Sequence, residues 1–154
     1  MSLSLSLQQA DSRHRQVLQR PWVLRCLKAA LNGPAEITVR VVDEAEGRAL
    51  NRDYRGKDKP TNVLTFDYST QPVVVADLIL CAPVVEQEAQ QQGRSLAHHY
   101  AHLLVHGALH AQGWDHEDED EAADMESLEA FILATLGVDD PYSAFSKRAA
   151  SRAK

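Results

Sequence analysis

A chain of 154 residues, 44% hydrophobic and 25% charged with seven Gly and six Pro, has the composition of one ordinary soluble domain, which excludes disordered and collagen-like chains. A chain of this size buries about 68–70% of its unfolded surface, enough for a single core without disulfides. The formal net charge of -6 argues against evenly spread phosphate-binding groups, and the absence of both a signal-like start and a long apolar run predicts a cytoplasmic protein with no membrane partner.

Leu3, Leu5 and Leu7 alternate with Ser and predict a strand with one buried face. From Pro21, apolar residues at helical spacing (Trp22, Val23, Cys26, Leu27, Ala30, Leu31) predict a helix stopped at Asn32-Gly33. Residues 36–42 are β-branched and alternating, hence a strand; Asp43 then caps a helix to about Tyr54, with Glu46 as its third residue. Residues 63–66 and 76–81 read as two more strands, separated by a loop with Gln71-Pro72. Pro83 opens a helix that Gly93 closes; Ser95 caps the next, which stops near Gly113. Residues 118–136 form a long helix with acids in its first turns and Gly137 as its stop. Four strands and about five helices in this order predict an α+β fold with a mixed sheet, as one domain over residues 1–142 and a basic tail over 143–154. Cys26 and Cys81 have no partner spacing and are expected as buried thiols.

The charge is segregated. Nine of the 22 acids fall in residues 115–129, which hold no Lys or Arg, so the rest of the chain carries 16 basic against 13 acidic groups. The basic groups concentrate in residues 52–59 and in the tail, so one face could meet a polyanion while the acidic block points elsewhere; solvated surface charge is the equal alternative.

Six of the seven histidines lie between His98 and His116. His98, His102, His106 and His110 recur every four residues and form one stripe of a helix. His102 and His110 are about 12 Å apart along the axis, too far for one ion, so only an adjacent pair can bind a metal. The residues after the helix select that pair. Gly113, three past His110, can turn the chain back so that His116 reaches the point shared by His106 and His110. Three imidazoles leave a fourth position open, as in catalytic zinc sites. Packing on the helix face, with neighbouring carbonyls as partners, suits His98, His99 and His102 better. Asp115 either orients a ligand imidazole or caps the turn. The spacing equals that of the metzincin proteases, except that their glutamate general base is replaced by Gly107, which leaves a metallopeptidase as a runner-up only.

His106-Gly107-x-Leu109-His110-x-x-Gly113-x-Asp115-His116 resembles the signature of the YbeY family of bacterial endoribonucleases and rRNA maturation factors. A second block, from Leu50-Asn51 through Tyr54-Arg55-Gly56-Lys57-Asp58-Lys59-Pro60-Thr61-Asn62 to Phe66, is similar to the family's other motif, and Asp77 to its acidic strand start. Agreement continues at Val85-Glu86-x-Glu88-Ala89, Met125-Glu126-x-Leu128-Glu129 and Gly137-x-x-Asp140-Pro141-Tyr142, so that the resemblance spans residues 36–142. Trp114, Ala111, Ala76 and a short loop after Phe66 depart from the usual pattern.

The resemblance implies a zinc-dependent, single-strand-specific endoribonuclease that matures the 3′ end of 16S rRNA and serves ribosome quality control. Its partners would be single-stranded RNA, rRNA and the small ribosomal subunit. His106, His110 and His116 carry over as ligands of one Zn2+ per chain, and Arg55 as the basic residue of the catalytic cleft; its alternative is a surface ion pair with Asp53 or Asp58. Lys57 and Lys59 would attract phosphate, Thr61 and Asn62 would touch RNA or form a turn, and Tyr54 would stack a base or pack on the core. A zinc-stabilised, non-catalytic ribosome assembly factor is the other alternative.

Overall fold

The alternating leucines at the N-terminus build β1 (Leu3–Gln9), whose Leu5 is buried while Leu3 and Leu7 are half-covered. The structure is a computed structural model that describes residues 2–114 and 118–142; Asp115, His116 and the tail over 143–154 lie outside the described residues. Helix α1 (Arg20–Ala30) carries its proline in the first turn, where a missing N–H costs nothing. Then come β2 (Ala35–Val42) and α2 (Glu44–Arg55), the latter capped by the Asp43 carboxylate accepting from the Glu46 N–H at 2.8 Å. Gly56, at φ 71°, ends α2 in the left-handed conformation.

Strands β3 (Val63–Ser69) and β4 (Val74–Cys81) form an antiparallel hairpin. Both are longer than the apolar runs predicted. Main-chain pairing carries β3 out through Asp67 to Ser69, which are polar because that end of an edge strand meets water. Asp77 therefore sits inside β4 rather than at its start, accepting a hydrogen bond from Tyr68 Oη at 2.8 Å.

The sheet order is β1-β2-β4-β3, with β1, β2 and β4 parallel and β3 antiparallel at the edge. Alternation along β4 sends Ala76, Leu78 and Leu80 to one face, where they join the main core with Val39 of β2 and residues of α1, α4 (Leu96–Ala111) and α5 (Glu119–Thr135). Ile79 and Cys81 face the other way, into a smaller cluster with Val42, Leu64 and the half-buried Leu50 of α2. Burial on both faces explains the nearly continuous apolar run of β4. Helix α3 (Ala82–Gln92) follows directly and ends at Gly93, φ 63°. The expected α+β architecture, one mixed four-stranded sheet with five helices, is what the described residues form. Cys26 and Cys81 are buried free thiols, and desolvation pushes Cys26 up to about 12. Among the described residues no helix is long and apolar enough to cross a membrane.

Candidate metal centre and basic loop

Helix α4 begins where Ser95 Oγ accepts from the His98 N–H and runs sixteen residues through the middle of the core. Tyr100, Leu103, Leu104, Ala108 and Leu109 are buried against the sheet and α1. The opposite stripe, His98, His102, His106 and His110, is half-buried along its whole length. Gly107 lies between stripe and core. A Cβ built there would stand 3.0 Å from Leu78 Cδ2 and 3.4 Å from Thr65 Oγ1, so α4 lies tight against β3 and β4 here. The position at which a metzincin keeps its glutamate thus abuts the sheet.

The end of α4 is fixed by Gln112. Its side-chain amide donates to the Ala30 carbonyl at 2.8 Å and the Ala108 carbonyl at 3.0 Å, and its oxygen accepts from the Asn32 N–H at 3.0 Å. Gly113 follows at φ 101°, the left-handed turn expected from the sequence. His106 and His110 therefore sit one turn apart on one face of a helix whose end is tied to α1. Their expected third partner, His116, and the adjacent Asp115 lie outside the described residues. Among the described residues no three His, Cys, Asp or Glu side chains converge to hold a metal ion.

His99 and His102, which the sequence expects to meet carbonyls, are held by carboxylates instead. His99 Nε2 is 2.9 Å from Glu88 Oε1 and His102 Nε2 is 3.0 Å from Glu129 Oε1. Arg94 Nη1 lies 3.5 Å from His99 Nδ1 and 3.3 Å from His102 Nδ1. A guanidinium only donates, so both Nδ1 atoms accept and both rings carry their proton on Nε2, facing the carboxylates. Burial holds the His102 imidazole below its ordinary pKa, consistent with a neutral ring.

Glu129 is the hub. It is 1% exposed, yet Tyr142 Oη donates to its Oε1 at 3.0 Å and His106 Nδ1 lies 3.3 Å from both of its oxygens. Burial alone would push this carboxyl up, but hydrogen bonds from His102 and His106 outweigh it, holding the group at about 2. A cleft of ≈ 280 Å³ opens beside it, lined by His106, Ala122, Met125, Glu126, Glu129 and Tyr142. Glu88 and Glu129 stand within the family-like motifs, but the sequence alone assigns them no role. One signal was present: Glu129 occupies a position of the α5 stripe otherwise filled by Met125, Ile132 and Leu133.

The basic residues stand elsewhere, at the end of α2 and in the loop after it. Arg48 makes a bidentate pair with Asp58 at 2.7 and 3.0 Å, and Arg52 pairs with Asp53 at 3.2 Å. Both aspartates that the sequence offered to Arg55 are thereby engaged by other arginines. Arg55, Lys57 and Lys59 are exposed, and no side-chain ion pair of theirs occurs among the described residues. Asn51 Nδ2 donates to the Lys59 carbonyl at 2.8 Å and clamps the loop. Asn62 serves the turn: its Oδ1 accepts from the Val63 N–H and its Nδ2 donates to Glu88 at 3.0 Å. Tyr54 is 68% exposed, its ring edge-on to Phe66 at 5.2 Å between centroids, rather than packed into the core.

The family model described as Endoribonuclease YbeY matches residues 4–137. A protein of Methylibium petroleiphilum named Endoribonuclease YbeY is 67% identical over 141 residues, covering 92% of this chain and 95% of its own. One of Albidiferax ferrireducens with the same name is 62% identical over 144 residues, covering 91% and 97%. The fold matches the solution structure of a Thermotoga maritima protein with a TM-score of 0.60 at 21% identity, over 95% of this chain and 93% of that one.

Proposed function

The chain belongs to the YbeY endoribonuclease family, and from that premise we propose that it is a zinc-dependent, single-strand-specific enzyme of the cytoplasm that matures the 3′ end of 16S rRNA and serves ribosome quality control on the small subunit. As a family member it is a metal-dependent endoribonuclease, a hydrolase of RNA phosphodiester bonds that acts in rRNA processing.

The observation that supports the metal assignment most directly is the pair His106 and His110 on one face of α4, ahead of a left-handed Gly113 three residues before His116. The donor chemistry fits: imidazole nitrogens suit zinc, and a carboxylate on the far nitrogen of a ligand ring is the usual support of such a site. His106, His110 and His116 would hold the ion, which supplies Lewis acidity at a phosphodiester when bound. Asp115 would steady a ligand ring.

Arg55 would do its work as a fixed guanidinium on a phosphate oxygen, countering the charge that builds as the P–O bond breaks. Lys57 and Lys59 would draw the RNA backbone in without reading its sequence, and the basic residues of 143–154 would add to that attraction. The acidic block on α5 would keep the strand off that side by repulsion.

The test is elemental analysis of the purified protein beside His110→Ala, with cleavage of a single-stranded RNA measured on both. About one zinc per chain, lost together with cleavage in the variant, is the expected result. Zinc-free protein that cuts RNA at full rate, or a variant that keeps its metal, overturns the reading.

A further inference from the structure

Two facts about Glu129 combine. Its carboxylate accepts on Oε1 from Tyr142 Oη and from His102, whose proton is placed on Nε2 by Arg94 at the other side of the ring. Its second oxygen, Oε2, lies 3.3 Å from His106 Nδ1. An ionised carboxylate has no proton to give, so a hydrogen bond between it and an imidazole nitrogen requires the proton to be on the nitrogen. His106 then carries its proton on Nδ1 and its lone pair on Nε2.

We propose that Glu129 is a positioning residue that holds His106 in the Nδ1–H tautomer and so presents Nε2 to the zinc ion. This rests on the metal reading above and adds what that reading lacks, a reason why His106 rather than His102 is a ligand. His102 meets the same carboxylate through Nε2, and its Nδ1 is turned to Arg94, so neither nitrogen of His102 has a lone pair to give a metal. The same stripe of one helix is thereby divided into a supporting ring and a ligand ring by one buried carboxylate. The carboxylate itself is locked: it comes from the buried face of α5, between Met125 and Leu133, so its backbone is set by packing and its oxygens by three donors.

The experiment is a zinc titration of the metal-free full chain against a chromophoric chelator, for wild type, Glu129→Gln and Tyr142→Phe, with ¹⁵N spectra of the imidazoles recorded on the same samples. Tyr142→Phe removes one of the three donors and keeps the carboxylate beside His106, so it should lose less zinc affinity than Glu129→Gln. Glu129→Gln should lose about 10- to 100-fold in zinc affinity, the usual effect of removing such a support, and its His106 signals should shift toward a mixture of tautomers. Metal-free wild type should show His106 as Nδ1–H, a measurement that needs no variant and stands even where Glu129→Gln fails to fold. An Nε2–H wild-type ring overturns the proposal, as does a folded Glu129→Gln with unchanged affinity. Wild type that takes up no zinc at all overturns the metal reading and the proposal with it.

Discussion

Nε2 of His99 lies 2.9 Å from Oε1 of Glu88, and Nδ2 of Asn62 reaches the same oxygen at 3.0 Å. One carboxylate on α3 therefore joins α4, the helix of the candidate metal ligands, to the end of the loop that carries Lys57 and Lys59. Burial pushes the Glu88 carboxyl up, but the hydrogen bonds from His99 and Asn62 outweigh it and its net pKa is lowered. A carboxyl lowered in the folded state contributes stability that is present above its unfolded pKa of about 4.3 and is lost as pH falls through the folded value. Glu88→Gln should therefore cost about 1–3 kcal/mol at pH 7, where it weakens the support of a buried histidine, and the gap to wild type should narrow as pH drops below about 4. Urea denaturation of both proteins at several pH values reads this directly; a gap independent of pH would show that the charge of Glu88 is not its source.

Replacement of Gly107 tests why this helix has a glycine where a metzincin has glutamate. The nearest atoms to an added Cβ are the methyls of Leu78, at 3.0 and 3.3 Å, and Thr65 Oγ1. Alanine also gains about 1 kcal/mol of helix propensity, so Gly107→Ala should change stability little as Leu78 turns aside. Gly107→Glu has no such escape: a carboxylate would be driven into an apolar contact between α4 and the sheet. It should destabilise the chain by at least about 3 kcal/mol and yield no peptidase. A folded Gly107→Glu that digests unstructured protein would contradict the packing described here.

Much of this was legible beforehand, for identifiable reasons. Caps and stops are local chemistry, so Asp43, Ser95 and Asp118 at helix starts and Gly93 and Gly137 past helix ends stand where side-chain and φ requirements put them. The spacing of His106 and His110 is likewise a local periodicity. What spacing cannot express is which distant chain comes to lie beside a residue. The parallel insertion of β4 between β2 and β3 is such a case, and so is the convergence of Glu129, Tyr142 and Arg94 on His102, from 27, 40 and 8 residues away. The polar end of β3, Asp67 to Ser69, was missed because an edge strand is held by main-chain bonds that leave no apolar pattern to read, whereas the two further residues of β4, Val74 and Val75, are apolar.

Arg55→Glu should separate chemistry from folding. Arg55 is exposed at the last turn of α2, and Asp53 and Asp58 are engaged by Arg52 and Arg48. Its replacement should shift stability by no more than about 0.5 kcal/mol, as for most surface changes, while RNA cleavage falls by about 10²–10³-fold or more, the scale of losing a charge-stabilising donor. Lys57→Ala should instead weaken RNA binding modestly and reduce its salt dependence, since it acts on the backbone as a diffuse charge. Urea denaturation, cleavage rates and binding at two salt concentrations check all three; full cleavage by Arg55→Glu would remove the residue from the reaction.

Removal of the metal distinguishes a catalytic ion from a structural one. Among the described residues the core contains no ligand histidine: α4 is anchored by Tyr100, Leu103, Leu104, Ala108 and Leu109, and its end by Gln112 bound to the Ala30 carbonyl. His106 and His110 lie on the opposite, half-buried stripe. A chelator should therefore leave circular dichroism and the cooperative unfolding transition in place and abolish RNA cleavage, with zinc restoring the activity. The melting temperature should fall only by the linkage term, about 2.7 kcal/mol of stability at a hundredfold excess of free zinc over its Kd. An apo protein without a transition would mean that zinc organises the fold, as in small metal-stabilised domains, and would favour the assembly-factor alternative, because the ion would then be holding the chain rather than acting on the phosphodiester.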